Sequence, residues 1–217
     1  MNEAEKYSAL VVDLDGTLYF QNPVRFCMTI SIIFFCITHP FNWQEIFLIR
    51  DYRRLYLNNV KHLERCSLLA LKYHLHTRQV KDIVQKWMLE RPIPFVRKFR
   101  DKRLILLLEN CRTRGIKFFV YSDYPVADKL EAIGIAPDAA YSADDVGCLK
   151  PSPDGLLYIL KDNGVKASDC LFIGDKFEKD GKCAENTGMD YYILPQCKFK
   201  REKIYEMLDL CSKVTRY

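Results

Sequence analysis

The chain lacks the cysteine spacings from which zinc sites and dithiol centres are built. Nine cysteines occur among 217 residues, an odd number, with no C-x-x-C pair and no histidine pair beside them at zinc-finger intervals. They read as small apolar fillers in a reducing compartment, which makes the cytoplasm the expected location. No G-x-x-x-x-G-K-[ST] run is present, which argues against a P-loop nucleotide hydrolase. Basic residues are not gathered into a run: 33 Lys and Arg against 28 Asp and Glu give a formal charge of +5 spread along the chain. No nucleic-acid partner is expected from that pattern, although a mildly positive field suits small anions. No signal peptide is expected either, since residues 1–6 (MNEAEK) are polar and of mixed charge.

Residues 26–38 (FCMTISIIFFCIT) contain no charged residue, and this apolar run meets His39-Pro40 before reaching the roughly 20 residues of a membrane span. A crossing there would leave Asp13 on the opposite side of a bilayer from everything after residue 45, with no second apolar stretch to bring the chain back. A buried helix is therefore expected, with an interfacial or partner-binding face as the alternative, and no membrane partner. Glycine is absent between residues 25 and 90, which suits closely packed helices.

What is present is ordinary for a globular protein: 49% hydrophobic and 28% charged residues. The length suffices for one sizeable domain, or one core with a smaller partner. Residues 8–12 (SALVV) form a short apolar run that predicts a buried strand ending at Asp13. A helical segment follows as far as residue 90, closed by Arg91-Pro92-Ile93-Pro94. Apolar runs at 116–121, 139–141, 170–173 and 191–194 then alternate with helical patterns. Several of those patterns stop at a glycine: Gly115, Gly134 and Gly164. Residues 200–212 read as an amphipathic helix. Strands alternating with helices imply an α/β fold, a doubly wound parallel sheet, with an all-helical segment inserted after the first strand. The predicted division is a core of residues 1–20 and 95–217 around a helical insert of residues 21–94. Ligands of such sheets bind beyond the carboxyl ends of the strands, so the polar residues there are the candidates.

The first strand ends in Asp13-Leu14-Asp15-Gly16-Thr17-Leu18. Two carboxylates two residues apart at a strand exit can converge on one site, and Gly16 permits a tight turn that brings backbone close to an anion. This D-L-D-G-T-L run resembles the first motif of the haloacid dehalogenase superfamily, in its phosphatase branch. The resemblance implies three later motifs, each after a strand. Ser122 follows residues 117–121, Lys150 precedes Pro151-Ser152-Pro153, and Gly174-Asp175 precedes Asp180 by five positions. All four motifs stand in order, across residues 8–20 and about 95–195.

The resemblance implies a Rossmann-like core with a helical cap of the C1 type, and a hydrolase that moves a phosphoryl group onto Asp13 and releases it with water. Asp13 would be the nucleophile. Asp15 would donate a proton to the leaving oxygen and then take one from water, with a pKa raised by burial and neighbouring carboxylates. Lys150 and Ser122 would hold the phosphate together with Asp123. Magnesium would sit on Asp13, the backbone carbonyl of Asp15, and Asp175. Thr17 and Asp180 would support the site from behind. Asp123 departs from the family's frequent Asn and is expected to turn its carboxylate away from the phosphate.

The second acid, Asp15, argues against a dehalogenase or phosphonate hydrolase. Thr17, where the related sugar mutase often has Val, favours a hydrolase. The substrate class is a small phosphorylated metabolite. A phosphomutase of the same superfamily, or a non-catalytic scaffold that keeps the fold, stands as the alternative. Arg50, Arg53, Arg54, Lys61 and Arg65 make the middle of the insert basic, which reads as a solvated helix face or a contact to a second anionic group. His62, His74 and His76 read as surface or packing residues.

Overall fold

The computed structural model describes residues 7–58 and 62–213. Residues 1–6 and Lys61 lie outside the described residues, as do the side chains of His62 and Cys211. Five strands, β1 (Ala9–Val12), β2 (Lys117–Ser122), β3 (Ala139–Ser142), β4 (Cys170–Gly174) and β5 (Asp190–Ile193), form one sheet in the order β3-β2-β1-β4-β5. Every pairing is parallel. Each strand end lies within a residue of its place in the sequence reading. In chain order the helices are α1 (Gln21–Thr38), α2 (Gln44–Leu57), α3 (His62–Tyr73), α4 (Thr77–Val84), α5 (Ile93–Lys98) and α6 (Lys102–Thr113), followed by α7 (Ala127–Ile133), α8 (Ala143–Val146), α9 (Asp154–Asn163), α10 (Lys182–Thr187) and α11 (Glu202–Lys213).

The chain divides into two compact units, Met1–Asn22 with Val96–Tyr217, and Pro23–Phe95. In the first, β1 is buried throughout, as expected of a central strand in a sheet covered on both sides. Side chains alternate between faces along a strand. Ala9 and Val11 join Phe119, Tyr121, Phe172, Leu156 and Ile159 on the face carrying α9 and α10. On the sheet's other side, α6 packs against β2 and against α11, and Leu104, Leu108, Ile204 and Leu208 are fully buried.

The second unit is built on α2, α3 and α4, around Leu48, Tyr52, Cys66, Leu69, Val80 and Val84. Arg65, grouped above with the solvated basic face, is buried here: its guanidinium lies 4.7 Å and 4.5 Å from the ring centres of Tyr52 and Tyr56. His74 and His76 are exposed. Residues 26–38 do not form a buried helix. Of α1 only Val24 and Phe35 are buried, because the apolar residues surround the helix while the neighbours on its own unit reach only a narrow side of it.

Candidate active site

The strand order reverses at β1. Chain order runs one way through β2 and β3 and the other way through β4 and β5, and the carboxyl ends beside such a switch point are where this architecture opens a crevice. Register places Val12 opposite Val120 and Ile173. Asp13 therefore lies one residue beyond that level, and Ser122 and Asp175 two residues beyond it on the neighbouring strands. The Asp13 amide donates to the carbonyl of Ile173 at 2.8 Å, so the ladder holds one residue beyond β1.

Past Asp13 the chain turns sharply. Gly16 has φ +101°, and a Cβ there would lie 2.2 Å from Asp175 Oδ2, so both its backbone and its surroundings require glycine. The turn brings Thr17 Oγ1 back to donate to Asp13 Oδ2 at 3.1 Å. Lys150 Nζ donates to the other oxygen, Asp13 Oδ1, at 2.5 Å and to Asp180 Oδ1 at 2.7 Å. Asp180 in turn accepts from the amides of Asp175 and Lys176 on its second oxygen, at 3.1 Å and 3.0 Å. That geometry comes from a π-helical turn, Phe177–Gly181, directly ahead of α10. The turn folds Asp180 over Gly174, where a Cβ would meet it at 2.4 Å.

Asp15 occupies a separate bay. Lys129 Nζ donates to its Oδ1 at 2.5 Å, the Ser122 hydroxyl donates to its Oδ2 at 3.3 Å, and the Tyr19 hydroxyl also donates to it. Asp123 turns its side chain onto the next motif: Oδ1 accepts from the Lys150 amide at 3.0 Å and Oδ2 pairs with Lys179 at 2.5 Å. Both oxygens of the Asp123 carboxylate are thus engaged by Lys150 and Lys179. Thus Asp13, Thr17, Lys150 and Asp180 form one connected cluster with Asp175, and Asp15 and Ser122 adjoin it through β1 and β2.

The electrostatics of the two aspartates differ in sign. Burial pushes the Asp13 carboxyl well above the ordinary range, against the pull of Lys150 and with the repulsion of Asp180 and Asp175. Asp175 is pushed up to about 6, chiefly by burial. Burial alone would lower the Lys150 pKa, but Asp13, Asp180 and Asp123 outweigh it and hold the ammonium protonated. Asp15 was expected to have a raised pKa. Burial does work in that direction, but Lys129 and the Tyr19 hydroxyl overcome it, and the Asp15 pKa is lowered.

Asp13, Asp175 and Asp180 can place one carboxylate oxygen each within 4.8 Å of one another. Hard oxygens in that arrangement fit magnesium. Two further observations favour a cation here. Asp13 and Asp175 resist ionising as they stand, and Gln196, whose Nε2 donates to Asp175 Oδ2 at 2.7 Å, leaves its buried Oε1 without a partner among the described residues. Asp180, already committed to Lys150 and two amides, fits a supporting place better than a ligand's.

Lys129, Tyr19, Gln196 and Arg201 went unrecognised in the sequence. Arg201, fully buried, donates to the carbonyls of Gly16 and Thr17 at 2.7 Å and 2.8 Å and pairs with Asp101 at 3.0 Å. It braces the turn that carries Asp15. No local pattern marks these four; each reaches the site from an element distant in sequence, except Tyr19, which reads as one more apolar residue after the first motif.

The chain matches the model of the haloacid dehalogenase-like hydrolases over residues 7–188. The glyceraldehyde 3-phosphate phosphatase of Methanocaldococcus jannaschii is 31% identical over 101 residues, which are 44% of this chain and 44% of that protein. The chain thus aligns with less than half the length of that relative. Among solved structures, the 2-haloacid dehalogenase from Pseudomonas syringae pv. Tomato superposes with a TM-score of 0.62 at 17% identity, over 85% of either chain. The HAD-hydrolase YfnB from Bacillus subtilis, solved bound to magnesium, gives 0.60 at 15% identity over 94% of this chain and 99% of its own. The family match covers the first motif through the fourth, and the chain belongs to the haloacid dehalogenase-like hydrolases.

Proposed function

We propose that this hydrolase is a magnesium-dependent phosphatase of small phosphate monoesters, working through an aspartyl-phosphate on Asp13. The observation that carries this reading is the Asp13 carboxylate, gripped by Thr17 and Lys150, with a second acid, Asp15, two residues on and free of that cluster. In the first step an Asp13 oxygen attacks phosphorus, the bond to the ester oxygen breaks, and Asp15 passes a proton to the departing oxygen. Lys129 must yield its hold on the Asp15 carboxylate for that proton to be carried. In the second step Asp15, now the carboxylate that Lys129 favours, takes a proton from water as the water oxygen attacks phosphorus. Inorganic phosphate leaves and Asp13 is regenerated.

Lys150 and the Ser122 hydroxyl serve the phosphate oxygens, and Asp123 and Asp180 position Lys150 for that task. Magnesium, on Asp13, Asp175 and the Asp15 carbonyl, would neutralise developing charge on the phosphoryl oxygens. A relative named for glyceraldehyde 3-phosphate supports a small phosphorylated metabolite as substrate. The described cysteines are free thiols, in keeping with a cytoplasmic enzyme. Purified protein with magnesium is expected to release phosphate from p-nitrophenyl phosphate, and Asp13→Asn to lower the rate by about 10³-fold or more. A variant that keeps its full rate would remove the covalent route.

A further inference from the structure

Helix α1 is long and apolar, with a mean hydropathy of 1.2, yet 11% of it is buried. Its exposed large apolar residues are Phe26, Ile30, Ile33, Phe34 and Ile37, at 66%, 51%, 55%, 67% and 73%. Steps of three and four residues place them in one stripe along the helix. The stripe continues beyond α1. Phe41 is 95% exposed, and the Trp43 indole N–H donates to the Cys36 carbonyl at 2.7 Å, which ties an exposed tryptophan to the end of α1. Phe47 follows on α2, with the Arg50 guanidinium 5.3 Å from its ring centre. The apolar strip therefore runs into cations. Arg53 and Arg54 are exposed on the same helix, and Arg25 is exposed at the start of α1.

Charge is divided unevenly between the units. Pro23–Phe95 contains eleven Lys and Arg against five Asp and Glu, a net of +6, while the remainder of the chain has 22 against 23. A helix serving as a core element would be covered. A single crossing of a bilayer is excluded by the sheet, because β1 before the insert and β2 after it pair residue for residue, Ala9 with Lys117 through Val12 with Val120. Pairing with a second copy through this face would bring two copies of the same basic surface together, and like charges oppose that. An anionic bilayer surface meets both properties at once: aromatic and aliphatic side chains enter the headgroup–acyl boundary, and arginines lie among the headgroups.

We propose that α1 and the turn after it lie in the interface of an anionic membrane, inserted by the Phe26–Phe41 stripe and held by Arg25, Arg50, Arg53 and Arg54. This replaces the sequence expectation of no membrane partner, and it stands whether or not the chain is a phosphatase. The test uses the full chain with phosphatidylcholine vesicles, with and without phosphatidylglycerol. Trp43 is the reporter, since Trp87 is already buried. The tryptophan emission is expected to shift to the blue with the anionic vesicles. Co-sedimentation should be at least about tenfold stronger with them than with neutral ones, and most of it should be lost at ~0.5 M salt. Arg53→Gln with Arg54→Gln should weaken the partition by roughly tenfold or more, and Ile33→Ser with Phe34→Ser should abolish it while hydrolysis of a soluble ester continues. Equal partition into both vesicle types overturns the proposal. So does partition into neither, and a concentration-dependent dimer dispersed by Phe34→Ser would then assign the stripe to a second copy. The wild-type measurement decides the matter even if a variant fails to fold.

Discussion

At Asp15 one buried cation decides the resting charge of a carboxylate. Lys129 lies on α7, seven positions after Ser122, and its side chain is 10% exposed because the ammonium faces Asp15. In the proposed mechanism Asp15 carries a proton twice, so Lys129 sets the balance between its acid and base forms. Lys129→Met is expected to lower kcat/KM about tenfold to a hundredfold and to move the acid limb of the pH–rate profile upward, since the group that holds the Asp15 pKa down is gone. A uniform loss at every pH, with the limb unmoved, would make Lys129 a packing residue. The resemblance of the motifs pointed to Asp13, Asp15, Ser122, Lys150 and Asp175, and Asp13, Ser122 and Asp175 also stand at strand ends, where position favours proximity. Lys129 follows a different rule: it sits within α7, where a lysine is ordinarily solvated, and only its pairing with Asp15 shows otherwise.

Among the elements, the π-turn before α10 and the residue preceding α11 have the largest effects on the site. Arg201 joins three parts of the core: the Gly16–Thr17 turn, Asp101 at the start of α6, and the Pro195 carbonyl. Asp101 also accepts from the Leu104 amide and the Tyr205 hydroxyl. Arg201→Met removes the cation from a buried carboxylate and takes a donor from three carbonyls, those of Gly16, Thr17 and Pro195. A loss of about 3 kcal/mol is expected, or a fall in Tm of roughly 6–12 °C for a chain of this size, measured by calorimetry. A fall under about 1 °C would show that Tyr205 and the Leu104 amide suffice for Asp101. The amphipathic pattern of the tail was legible, but Arg201 lies just before it and looks like any solvated arginine. For α1 the reverse holds: its apolar composition was plain, whereas its exposure depends on how little of α2–α4 reaches it.

For the molecule as a whole, metal binding should be linked to pH through Asp175. Its pKa is raised from 3.8 to about 6, so the folded metal-free chain binds more protons than the unfolded chain between those values. This group's contribution to stability is therefore greatest at low pH and declines as pH rises through that window. Magnesium needs the carboxylate ionised, so its affinity should fall by up to about tenfold per unit below about pH 6. Thermal unfolding with and without magnesium is expected to show a larger stabilising shift at about pH 8 than at about pH 5. The same shift at both would mean that the ion does not meet Asp175.

Local patterns determined the five strands, the helical insert and the motifs at the strand ends, because strand periodicity, glycine stops and residues flanking strands are set by neighbours in the chain. Only the tertiary structure decided which cations serve which carboxylates, why Asp15 is ionised while Asp13 resists, and which side of α1 is left uncovered. The charges come from α7 and from the residue before α11, more than a hundred positions from the first motif, and the uncovered side of α1 depends on how α2–α4 pack, none of which a local pattern records.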